Sequence, residues 1–128
     1  SERLETALTV ARTLGKRLNT AQDALRVALL DVRASVHLGQ IDDAGQRMEV
    51  VDDCAKALDA VDSNSLETFG FDRELMAGIV SNYQGNREQA ALHLEKAASI
   101  ADAVGDLHAL GRVANNLGNI HLVGGRYR

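Results

Sequence analysis

The chain has 128 residues with a formal net charge of −4, acidic and basic side chains being interspersed along it. That length supports one domain with a core; the absence of a basic stripe argues against a nucleic-acid groove, and no apolar run reaches membrane-spanning length. Hydrophobic residues make up 45%, mostly alanine and leucine, aromatics only 3%, and there is no proline or tryptophan. Without proline no helix is broken from within, alanine favours helix and close helix approach, and no strict apolar/polar alternation argues for sheet. An all-α fold is expected.

The first predicted helix carries Leu4, Ala7, Val10, Ala11 and Leu14 on one face and ends at Gly15. The same 3-3-1-3 spacing returns as Met48, Val51, Cys54, Ala55 and Leu58, and again as Leu94, Ala97, Ile100, Ala101 and Val104, followed by Gly105. Such spacing draws a single apolar stripe along an α-helix, and a glycine just past it suits a left-handed cap. Between these three segments the pattern predicts a second kind of helix over 21–38, 66–84 and 107–123, each ending in a short turn: Gly39-Gln40, Gly85-Asn86 and Gly124-Gly125. Six helices in alternation follow, with neighbours antiparallel because the turns are short. The spacing is 46 residues from Gly39 to Gly85 and 40 from Gly85 to Gly125. Gly78, Gly111 and Gly118 fall inside helices, where each costs about 1 kcal/mol against alanine. Close helix contacts are therefore expected at Ala77/Gly78 and at Gly118.

Residues capable of chemistry do not assemble into a site. His37, His93, His108 and His121 lack metal-ligand spacing, and His37 and His121 end equivalent helices, where packing or capping suits them. Cys54 falls in the apolar column of Val10 and Ile100, and the neighbouring Asp52 and Asp53 oppose thiolate formation. Asp42-Asp43 suits a helix start, and none of the acidic pairs has calcium-loop spacing. Gly124-Gly125-Arg126 has no strand before it and no Gly-Lys-Ser after it, so it is not a phosphate loop. No catalytic residue, metal or cofactor is expected.

The stretch from Val113 to Tyr127, with Leu117, Gly118, His121, Gly125 and Tyr127, resembles the first helix and turn of a tetratricopeptide repeat. Asn82-Tyr83-Gln84-Gly85-Asn86, followed by Ala90, is similar to the same turn, and Gly39 with Ala44 matches it again. The first copy departs from the pattern, with Asp31-Val32 where Leu-Gly is usual, and the aromatic that heads each first helix and the closing proline are absent. The resemblance implies a right-handed α-solenoid of about three antiparallel helix pairs over residues 1–128. The longer period resembles the repeats attached to bacterial multidomain regulators, such as large ATP-dependent transcription activators and repeat-bearing cyclases. Ser1 and the turn-like Gly124 to Arg128 lead to the expectation of a piece of a longer protein. One cysteine and no leader pattern lead to the expectation of a reducing, cytoplasmic setting.

In that family the first helix of each pair lines a concave, peptide-binding face. The resemblance then turns inward Arg26, Leu29, Leu30, Arg33 and His37; Leu75, Met76, Ile79, Asn82 and Tyr83; and Arg112, Asn115, Asn116, Asn119 and Leu122. Asparagine is mildly unfavourable inside a helix, whereas its amide can bond a peptide backbone as donor and acceptor. The lysines, Lys16, Lys56 and Lys96, all belong to the other set of helices, which speaks against a lysine clamp for a terminal carboxylate. The expected function is a protein- or peptide-interaction module, its partner a separate protein or another domain of the same chain. Two alternatives stand beside it, self-association as a homodimer and sensing of a small-molecule effector.

Overall fold

The computed structural model describes the backbone of residues 2–123 and the side chains of residues 2–120. The described residues are all-α, in the order α1 (Glu2–His37), α2 (Ile41–Val61), α3 (Ser63–Glu67), α4 (Gly70–Tyr83), α5 (Arg87–Ala103) and α6 (Leu107–Val123). Helices adjacent in sequence are adjacent in space. The second half of α1 packs on α2, α4 packs on α5 and α5 on α6, while α4 also touches α1, α2 and α6.

Three turns make this order compulsory. Gly39, Gly85 and Gly105 adopt φ of 72°, 82° and 70°, the left-handed region open to glycine. After α1, the N–H of Gly39 donates to Val36 O at 3.0 Å and that of Gln40 to Ser35 O at 2.9 Å. The same pair of bonds recurs at Gly85-Asn86 and at Gly105-Asp106. This double closure satisfies the carbonyls that a helix end leaves orphaned and reverses the chain within two residues. The expected turn at Gly124-Gly125 lies outside the described residues.

The expected helix boundaries need two corrections. Gly15 caps nothing: it keeps a negative φ, and α1 runs through it without a break, so the first two expected helices are one helix of 36 residues. No proline or extended residue interrupts the run, and Thr9 and Thr13 turn their hydroxyls back onto the carbonyls of Glu5 and Thr9, each at 3.0 Å, without opening the ladder. A left-handed turn at Gly15 would forfeit helical hydrogen bonds, and only packing of residues 2–14 against a neighbour could offset that loss. Residues 2–14 are exposed without exception.

The second correction lies between α2 and α4. Asp62 is extended (φ −161°) and caps α3, accepting from Asn64 N–H at 3.1 Å and from Ser65 Oγ at 2.8 Å. The helix expected over 66–84 is thereby split into α3 and α4. The described residues again form six helices, but not the six that the pattern predicts.

The core is one cluster drawn from α1, α2, α4, α5 and α6, with Leu25, Leu58, Leu75, Leu94, Val32, Val51 and Val113 fully enclosed. Small residues set the closeness of the pairs. Ala44 and Ala90, which open the second helix of each pair, are completely buried. At Gly78 a Cβ would lie 2.7 Å from Leu94 Cγ on α5, so the expected close contact there is present. Among the described residues, a Cβ at Gly118 or Gly111 would meet nothing within 4 Å, and the close contact expected at Gly118 is not made by them. Cys54 is half-buried and packs against the core, the place its column predicts.

Candidate peptide-binding face

The inward residues predicted on three separate stretches of sequence largely converge. A cleft of about 540 Å³ is lined by Arg26, Leu29, Leu30 and Arg33 from α1, Met76 and Asp72 from α4, and Arg112 from α6, with Thr68 and Phe69 at the entry to α4. A second cleft of about 310 Å³ is lined by Arg33, Val36 and His37 of α1, Met76, Ile79 and Tyr83 of α4, and Asn116 of α6. Arg33 and Met76 belong to both, so the two clefts share a wall. The convergence follows from helix geometry. Phe69, Asp72, Met76, Ile79 and Tyr83 recur every three or four residues and therefore occupy one face of α4. The α1 residues form a matching stripe, and α1 and α4 are in contact.

The walls combine apolar floor and cationic rim. Leu29 and Met76 are buried, whereas Leu30 is 60% exposed and Tyr83 58%. Arg26 is held in place by Asp23, at 2.9 Å, and its guanidinium lies 5.5 Å from the centroid of the Phe69 ring. Arg112 lies 5.9 Å from the Phe71 centroid. These aromatic faces orient the arginines while leaving their N–H donors available. Among the described residues, neither Arg33 nor Arg112 has a carboxylate within ion-pair distance. A patch that is apolar at its base and carries two unneutralised guanidinium groups favours an anionic, partly apolar ligand.

Not every predicted residue reaches the clefts. Leu75 is 1% exposed and sits in the core rather than on the face, one helical step away from Met76. Asn82, Asn115 and Asn119 line neither cleft. Asn116 does, but its Nδ2 donates to Arg112 O at 2.8 Å, so part of its hydrogen-bonding capacity is spent within α6. The side chain of Leu122 lies outside the described residues, as does that of His121. Conversely, Phe69, Thr68, Asp72 and Val36 line the clefts without having been anticipated. Phe69 and Thr68 lie in the link between α3 and α4, whose position depends on the Asp62 break. Asp72 could have been found, being one turn ahead of Met76 on the same stripe.

His93 serves the scaffold. Its Nδ1 is 2.7 Å from Glu74 Oε2, tying α5 to α4 on a side that neither cleft reaches. No family model matches the chain, and neither a curated protein nor a solved structure matches it.

Proposed function

We propose that this chain is a protein-interaction module of the tetratricopeptide kind, a right-handed stack of helix pairs that receives a peptide segment against α1, α4 and α6. The ligand that suits the face is an amphipathic segment with acidic side chains. Its apolar side would cover Leu29, Leu30, Phe69 and Met76, and its carboxylates would meet Arg33 and Arg112. The observation that carries this reading is the single cleft drawing Arg26, Leu29, Arg33, Met76 and Arg112 from three separate helices. Repeat stacks use this arrangement to present an extended concave surface. In a larger bacterial regulator in the cytoplasm, the segment held would be a partner protein or another domain of the same chain.

The test is a displayed library of acidic amphipathic peptides, with the best binder measured by fluorescence anisotropy. Arg33→Ala should weaken it about tenfold, the loss of one charge-assisted contact of about 1.5 kcal/mol. Ile79→Ala should weaken binding through lost apolar area. Asn119→Ala, off both clefts, should leave it unchanged. Equal affinity for all three variants would remove this face from consideration. A second reading, a small-molecule effector site, is favoured by the volume of the larger cleft, which falls within the usual range for ligand pockets. A metabolite that raises the melting temperature, and loses that effect on Arg33→Ala, would select it.

A further inference from the structure

α1 buries only half of a longer apolar seam. Leu18, Ala21, Leu25, Ala28, Val32 and Ser35 recur with alternating steps of three and four residues, the spacing of a coiled-coil seam, and they pack against the core. The same steps continue backwards through Leu14, Ala11, Ala7 and Leu4, in phase and without interruption. There the seam is exposed to solvent. α2, which covers it further on, ends at Val61 level with Lys16 and Arg17, where these residues share the wall of one groove. The projecting part of α1 therefore carries an apolar face widened by Leu8 and Val10, which are 46% and 52% exposed, with Leu14 at 51%.

We infer that residues 2–16 pair with the same residues of a second copy of this chain, as an antiparallel two-helix contact about a two-fold axis level with Thr9. Three features of the segment select that occupant. The first is continuity, since the exposed face prolongs a helix–helix seam already made by α1 and α2, so a helix is the shape it fits. The second is self-complementarity. About that axis Ala7 lies opposite Ala11 of the other copy, letting the backbones approach, while Leu8 and Val10 each flank the axis and meet their own counterparts. The third is charge. Glu2 and Glu5 mark the outer end and Arg12, Lys16 and Arg17 the inner end, so antiparallel pairing sets the acidic end of one helix beside the basic end of the other. Arg3 is the one charge that runs against this pattern. A contact about 20 Å long between two helices buries on the order of 1,000 Å² in total, the lower limit of specific interfaces, which corresponds to a dimer that exchanges with monomer.

This surface is separate from the clefts of the proposed function, so the two readings fail independently. Sedimentation velocity on the whole chain across a wide concentration series should show a monomer–dimer equilibrium. Leu8→Glu combined with Ala11→Glu should raise the dimer dissociation constant at least about tenfold. Because both positions are exposed, helicity by circular dichroism and melting temperature should be unchanged. In a Cys54→Ala background, Val10→Cys should form a disulfide-linked dimer on oxidation, and Thr9→Cys, on the side of α1 turned away from the seam, should not. A monomer at every concentration, a dimer that survives the double glutamate variant, or equal cross-linking at both positions would overturn the inference.

Discussion

Replacing Gly78 by alanine adds one methyl group to the interface between α4 and α5. By helix propensity alone the change is favourable by about 0.8–1 kcal/mol. The packing opposes it. The new Cβ would lie 2.7 Å from Leu94 Cγ, 2.9 Å from Leu94 Cδ2 and 3.2 Å from the Ala90 carbonyl oxygen. Leu94 is fully buried, so its branched end has no open space to enter, and Ala90 O belongs to the backbone of α5. Relief requires moving α5 outward by several tenths of an ångström, and overpacking of this kind costs about 1–3 kcal/mol. Since the propensity gain offsets part of this, the net loss should be about 1 kcal/mol, a fall of about 3–6 °C in melting temperature for a chain of this size. Gly118→Ala is the matched control. It offers the same propensity gain with nothing among the described residues within 4 Å of the new methyl, and should stabilise by up to about 1 kcal/mol. Urea denaturation followed by circular dichroism measures both, with the midpoint shifting and the slope unchanged. If Gly78→Ala proves as stabilising as Gly118→Ala, α4 and α5 are not in this close register, and the packing reasoning fails.

Other perturbations follow from the same geometry. Gly15→Ala should raise stability by up to about 1 kcal/mol, because Gly15 lies inside α1 with negative φ and open space around it; a loss would mean that the chain turns there. Gly85→Ala should cost about 1–2 kcal/mol, since φ of 82° strains any residue with a Cβ, and thermal denaturation would read it directly. Glu74→Ala should cost about 1 kcal/mol by removing the bond to His93 that ties α4 to α5. Combining it with His93→Ala in a double-mutant cycle should show the two losses to be less than additive.

Local chemistry made much of the architecture legible. The glycines at 39, 85 and 105 announced three chain reversals because only glycine adopts their φ without strain. The apolar columns of Met48 to Leu58 and Leu94 to Val104 announced faces that are covered, apart from the exposed Ile100 and Val104. The tetratricopeptide resemblance set the phase that turned Arg26, Leu29, Arg33, Met76, Ile79, Tyr83 and Arg112 inward, and these residues line the two clefts. The asparagines could not be sorted in this way. Asn115, Asn116 and Asn119 look alike as polar residues on one helix, yet only Asn116 lines a cleft, and its amide is turned back onto Arg112 O.

The sequence by itself determined that the chain is helical, which glycines are able to turn it, and which faces are apolar, since these depend on φ preferences and on a periodicity of 3.6 residues. Only the tertiary structure decided what covers each face. Leu4 to Leu14 carries the same pattern as Met48 to Leu58, yet the first is exposed throughout and the second is half or fully enclosed at its apolar positions. Likewise Gly15 and Gly105 end the same pattern, but Gly105 turns and Gly15 does not. A pattern records that a residue is suited to burial or to a turn. Whether it is buried depends on a neighbouring helix arriving in register, and for the first stretch of α1 none among the described residues does.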